Sequence, residues 1–237
     1  MTDTTQGGQG RRADIQFLRF VAVIVVVAFH SGIRPVRAGF VGVDIFFVIS
    51  GYLILGLLTR EGKGTGRISL ANFWARRVRR LLPASVLVLL VTAAMSVGAL
   101  GQFDMERSAL DIAAAALYAA NIRFAIISEN YFAVTRVSPV LHFWSLGVEE
   151  QFYVLAPLIV ILVLMLTRRK RKWLELWMFA VLAIITEVSW LYLLKLSEQE
   201  STWAFYGTWA RGWEFGVGGL AAMFTAIRPA PSNALVK

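Results

Sequence analysis

The chain carries only two histidines, and one of them, His30, closes an apolar stretch, FLRFVAVIVVVAFHSG, that also holds Arg19. About three helical turns separate the two, so on a helix both project from one face, about 16 Å apart along the axis. An imidazole moves a proton near neutral pH, which is what an attacking hydroxyl needs. A hydrogen-bonded interfacial histidine and a snorkelling arginine would account for the same residues. In GFVGVDIFFVISGYLI, Asp44 stands among apolar residues, with Gly39, Gly42 and Gly51 allowing close helix approach. A buried carboxylate there needs a partner, and either the His30 imidazole or a guanidinium serves. With His30, Asp44 would orient the ring and hold its proton on the useful nitrogen; with a guanidinium it would be a structural ion pair. LHFWSLGVEEQFY puts His142, Ser145 and Glu149 on one helix face, with Glu150 about 100° away. In TWARGWEFGVGGL, Arg211 and Glu214 are spaced i, i+3 and can pair. NFWARRVRRLLP sets Arg76, Arg77, Arg79 and Arg80 on about one helical turn ahead of Pro83. Guanidinium groups bind phosphates bidentately, and the same arginines would also fix membrane topology and attract anionic headgroups.

These residues draw notice because of where they stand. The chain is 57% hydrophobic and 16% charged, the composition of a protein lying mostly in lipid, and an ionisable group inside such a span costs about 3 kcal/mol to insert. The net charge of +9 comes from basic residues clustered between apolar runs, the positive-inside pattern of membrane loops and not that of a nucleic-acid binder. With no cysteine, disulfides, zinc–thiolate sites and a cysteine nucleophile are excluded, and no metal site is expected. Apolar segments of spanning length run over 15–32, 38–58, 81–100, 141–166, 174–194 and 203–227, with a weaker one at 109–127 that carries Asp111, Asn121 and Arg123 near its ends. The expected fold is therefore all-α, a polytopic transmembrane bundle of six or seven membrane segments. Residues 1–13 form a cytoplasmic polar tail before a retained first span, 14–227 the membrane domain, and 228–237 a polar end. The loop from Arg60 to Arg80 and the RRKRK run, Arg168 to Lys172, both belong in the cytoplasm, which the odd count of three crossings between them forbids. The simplest resolution makes 109–127 re-entrant or interfacial. The polar side chains would then converge on one wet cavity reaching toward the cytosolic arginines.

Taken together, FLRFVAVIVVVAFHSG, GFVGVDIFFVISGYLI, FWARRVRRLLPA, LHFWSLGVEEQFYVLAPL and ARGWEFGVGGL resemble, in order, acyltransferase family 3. These are membrane O-acyltransferases that modify O-antigen, peptidoglycan, Nod factors and macrolides. The resemblance implies transfer of an acyl group, most commonly acetyl, from cytoplasmic acyl-CoA to a hydroxyl of a cell-envelope or secreted glycan or glycoside, some acceptors being lipid-linked. It implies an inner-membrane, multi-pass protein with a cytoplasmic N-terminus, no permanently bound cofactor and no nucleic-acid partner. His30 corresponds to the family's presumed base and Arg19 to its first-helix arginine. Arg77 and Arg80 match its RxxR, a spacing Arg76 and Arg79 share, and these four with Arg19 are the candidate donor-binding residues. Asp44, Glu149 and Glu150 match acidic positions of its other motifs and join His30 as catalytic candidates. The family's membrane domain has more helices than this chain supplies, so the expectation is its N-terminal portion, truncated at the C-terminus. The competing readings are a transporter or flippase using the buried Asp, Glu and His residues as a proton relay, and an inactive remnant. No inverted repeat supports the transporter.

Overall fold

The computed structural model describes residues 13–31, 40–99, 102–127 and 137–228, and every regular element among them is helical. The polar ends expected at 1–13 and 228–237 lie outside the described residues except for Ala13 and Arg228, and Gly39 lies outside them too. The helices are α1 (Ala13–His30), α2 (Val41–Thr65), α3 (Leu70–Ala99), α4 (Gln102–Ala116), α5 (Ala120–Ile127), α6 (Phe143–Leu166), α7 (Leu174–Glu198), α8 (Trp203–Tyr206) and α9 (Gly212–Ile227). Among the described residues four helical stretches are long and apolar enough to cross a membrane: Val41–Thr65, Leu70–Gly98, Phe143–Leu166 and Arg171–Glu198. Their outward faces are apolar, with Leu87, Leu90, Val97, Ile184 and Leu191 all exposed, as lipid requires of a spanning helix. Helices α1 and α9 are shorter, at 18 and 16 residues.

Helix α2 is the centre of the bundle, packed against α1, α6 and most extensively α9. Glycines let the backbones meet. A Cβ at Gly42 would lie 2.7 Å from the Ala22 carbonyl oxygen of α1, and Cβ atoms at Gly51 and Gly218 would collide with the backbone of Phe215 and Val48 respectively. Because Gly51 meets Phe215 and Gly56 meets Ala222, α9 runs parallel to α2. So does α6, whose Glu149 meets Ser50 and whose Leu164 meets Gly62.

This parallel arrangement resolves the topology. Lys63 pairs with Glu175 at 2.6 Å, and Gly66, in the left-handed conformation at φ 75°, sits under the Arg171 guanidinium. Both basic segments therefore occupy one end of the bundle. Helix α3 alone leads from that end to the other, where α4 and α5 form a bent pair instead of a crossing. The break falls at Leu117–Ala119, with Tyr118 at φ 53°. Arg123 Nε pairs with Asp111 Oδ1 at 2.5 Å across the bend, and Thr202 donates to the Ala125 carbonyl at 2.7 Å. The expected non-crossing segment at 109–127 is thus two helices, beginning earlier than its apolar run.

Two further elements differ from the sequence reading. The arginines of NFWARRVRRLLP are not in a loop: α3 starts at Leu70, because Phe73, Arg77 and Leu81 recur every four residues on a face that turns inward. The segment at 203–227 is not one span. It breaks between Tyr206 and Gly212, where Ser189 of α7 accepts from the Trp213 amide at 2.8 Å and donates to the Trp209 carbonyl at 2.6 Å, so backbone groups freed by the break are satisfied.

Replacing Gly51 or Gly218 with Ala should loosen the α2–α9 contact and cost about 1–3 kcal/mol. Thermal unfolding in detergent measures it, with Gly64→Ala, where the added methyl meets nothing, as the unchanged control.

Candidate active site

Polar side chains enter this apolar bundle in two clusters. The first lies where α2 and α9 begin. Arg211, buried at the N-cap position of α9, pairs through Nη2 with Asp44 Oδ1 on α2 and, at 2.9 Å, with Glu214 Oε1 one turn along its own helix. Glu214 is wholly buried. The guanidinium carbon stands about 6 Å from three ring centroids, Phe47, Trp144 and Phe205, whose faces add attraction for a buried cation. The helix break fixes this position, since it brings Arg211 to a helix terminus from which its side chain crosses to α2.

Of the two partners expected for Asp44, a guanidinium is present among the described residues, that of Arg211, and the His30 side chain lies outside them. Helix α1 packs across Gly42, and Asp44, two residues on, projects about 200° around α2 toward α9. The Arg211–Glu214 pair is present as expected, but it is not self-contained, because it bonds to a second helix. His30 closes α1; its side chain lies outside the described residues. Arg19 stands half-buried on the same stripe of α1 as Ile15 and Ala22, which are buried, and Ala22 meets α2.

The second cluster lies about 9 Å deeper along α2. Ser50 and Tyr153 both donate to Glu149 Oε1, and their hydroxyl oxygens are 3.2 Å apart. Arg77 of α3 caps this group: its guanidinium carbon lies 3.7 Å from the Tyr153 ring centroid and 5.3 Å from that of Phe73, and it acts electrostatically on Glu150 as well. Glu150 is half-buried, and its Oε1 has no hydrogen-bond partner. The other three arginines, Arg76, Arg79 and Arg80, are exposed. So the structure separates the four arginines: Arg77 turns in beside Phe73 and the Tyr153 ring, and the other three are exposed. His142 is exposed, and Ser145 donates back to the His142 carbonyl at 3.2 Å, so neither joins Glu149. Glu187 is exposed on α7.

The expected single cavity is replaced by an aromatic partition between the clusters. Phe47 stacks on Phe215 at 4.7 Å, Phe215 on Phe152 at 4.1 Å, and Phe47 meets Trp144 edge-on at 6.2 Å. Among the described residues a cavity of about 660 Å³ forms a groove between α6, α7 and α9, lined by Leu155, Ile159, Leu182, Val188, Tyr192 and Phe215, and it is apolar. Among the described residues no group of three or more His, Cys, Asp or Glu side chains could hold a metal ion. Sequence reasoning passed over Ser50 and Tyr153, although the i, i+4 spacing from Glu149 to Tyr153 was a usable signal. It also passed over the hydrogen-bonded group of Asn121, Gln151 and Thr208, which no periodicity links.

Removing Arg211 would strand two buried carboxylates, so Arg211→Met should cost about 3–5 kcal/mol, and adding Asp44→Asn and Glu214→Gln to it should restore most of the loss. Unfolding midpoints in detergent for the single and triple variants decide this.

Comparison with known proteins gives the family. A family model described as an acyltransferase domain matches residues 12–231. A protein of Staphylococcus aureus (strain COL) provisionally named an O-acetyltransferase is 41% identical over 155 residues, 65% of this chain and 26% of that protein. The O-acetyltransferase OatA of Staphylococcus aureus (strain NCTC 8325 / PS 47) is 39% identical over 145 residues, 60% of this chain and 24% of OatA. The chain matches about a quarter of the length of these relatives. No solved structure matches it.

Proposed function

The chain belongs to the acyltransferase family whose domain spans residues 12–231, and on that premise we propose that it moves an acyl group, acetyl in the first instance, from cytoplasmic acyl-CoA to a hydroxyl of a cell-envelope or secreted glycan. The similarity to named O-acetyltransferases supports acetyl transfer to oxygen. The protein would sit in the inner, cytoplasmic membrane with its N-terminus and both basic segments in the cytoplasm, the side the positive-inside rule assigns them.

The observation that carries the reading is the division of the α3 arginines. Arg76, Arg79 and Arg80 are exposed toward the basic end, where anionic phosphates of coenzyme A arrive, and Arg77 turns inward onto Tyr153 beside Glu149 and Glu150. A charged track thus leads from the donor's side into the bundle. In the proposed reaction the acceptor oxygen attacks the thioester carbonyl, His30 takes the hydroxyl proton, and the carbon–sulfur bond breaks to release the coenzyme A thiolate, which leaves protonated. Arg19 steadies the donor, and the paired Arg211 supplies a fixed positive charge for the developing oxyanion. Glu149 and Glu150 hold Arg77 in place.

Because the chain has no cysteine, release of the coenzyme A thiol from acetyl-CoA can be followed with a thiol reagent free of protein background. Purified protein in nanodiscs with a glycan acceptor should release thiol, and His30→Ala should slow release by about 10²–10⁴-fold with insertion unchanged. Arg80→Ala should instead raise the KM for acetyl-CoA by about tenfold, the loss of one charge-assisted phosphate contact. Undiminished release in His30→Ala would remove the base, and no release from the unaltered chain would favour proton-coupled transport.

A further inference from the structure

Three residues outside both charged clusters hold the turn that carries Arg211. Asn121 of α5 is completely buried, and every polar atom of its side chain is used. Its Nδ2 donates to the Tyr206 carbonyl and to Thr208 Oγ1, both at 3.1 Å, and its Oδ1 accepts from Gln151 Nε2 at 2.9 Å. Gln151 Nε2 also donates to the Tyr118 carbonyl at 3.0 Å, and Gln151 Oε1 accepts the Thr208 hydroxyl proton. Gly147 leaves the space, since a Cβ there would lie 2.7 Å from Asn121 Oδ1. The group joins the α4–α5 bend, α6 and the α8–α9 turn, and Ser189 holds the far side of that turn through Trp209 and Trp213.

We propose that Asn121, Gln151 and Thr208 are positioning residues for the acyltransferase centre, a lock that sets the α8–α9 turn and so fixes where Arg211 meets Asp44. The geometry argues for this in two ways. Arg211 is three residues beyond Thr208, and its backbone amide bonds to the Gly207 carbonyl within the turn, so a shift of the turn moves the guanidinium with it. Gln151 also directly follows Glu149 and Glu150, so one side chain registers the turn against the α6 carboxylates. A buried network this complete specifies one arrangement, and removing one member leaves the others unpaired. The bent α4–α5 pair, which crosses nothing, thereby has a use: it carries Asn121 to the turn. The inference rests on the proposed function only for its kinetic readout.

The test compares Thr208→Val, which keeps the shape and deletes both hydrogen bonds, with Thr208→Ser, which keeps them, in nanodiscs with acetyl-CoA. Thr208→Val should lower kcat for thiol release at least tenfold with the KM for acetyl-CoA unchanged, and Thr208→Ser should stay within twofold of the unaltered chain. Adding Thr208→Val to Arg211→Lys should cost no more than Arg211→Lys alone, the non-additivity of residues acting through one another. Additive losses, or a rise in KM alone, would overturn the proposal. Hydrogen exchange, which needs no turnover, supplies the independent readout: Thr208→Val should speed exchange at 207–212 selectively. Uniform acceleration over α5 and α6, or none anywhere, would also overturn it, whereas a selective change in a chain that releases no thiol would uphold the lock and remove the enzymatic reading.

Discussion

A charge placed among hydrocarbon must be matched by a side chain from somewhere else in the fold, and this bundle is arranged around that requirement. Arg211 lies between a carboxylate on α2 and one on its own helix, with aromatic faces filling the rest of its surroundings. Neither helix can slide against the other without separating Asp44 from the buried Arg211 and Glu214. The glycine contacts between α2 and α9 answer the same demand from the other side, since side chains reach across only when the backbones are close. Packing and electrostatics thus fix a single register for the central helix pair.

From that pair the remaining elements take their places. Helix α6 lies parallel to α2 and brings Glu149 to Ser50, and α3 brings Arg77 to Tyr153, so a second polar group forms about 9 Å from the first along α2. Phenylalanine and tryptophan rings close the gap between them.

What could be read from the sequence, and what could not, follows from the range of the interactions. The apolar runs gave α6 and α7 to within a few residues, because span length is a local property, whereas α2 continues past its apolar run to Thr65. The placement of RRKRK beside the first basic segment predicted a non-crossing stretch at 109–127, and the Lys63–Glu175 contact agrees. Arg211 and Glu214 were legible as an i, i+3 pair. Asp44 as their third member was not, since a carboxylate 167 residues away offers several partners of equal plausibility on paper. The inward turn of Arg77 alone among four arginines was hidden because it depends on the rings of Phe73 and Tyr153, and Tyr153 comes from another helix. The break ahead of Gly212 was hidden because the run from Trp203 to Ile227 is long and mostly apolar, and the polar contacts that open it come from α5, α6 and α7.

The central claim is that Arg211 is neutralised at once by carboxylates on two helices. Solid-state NMR on the chain in lipid bilayers, with arginine guanidinium nitrogens and aspartate and glutamate carboxyl carbons labelled, measures this directly. The account predicts dipolar contacts from the Arg211 guanidinium to both the Asp44 and the Glu214 carboxyl carbons. A guanidinium in contact with Glu214 alone, or with neither, would contradict it.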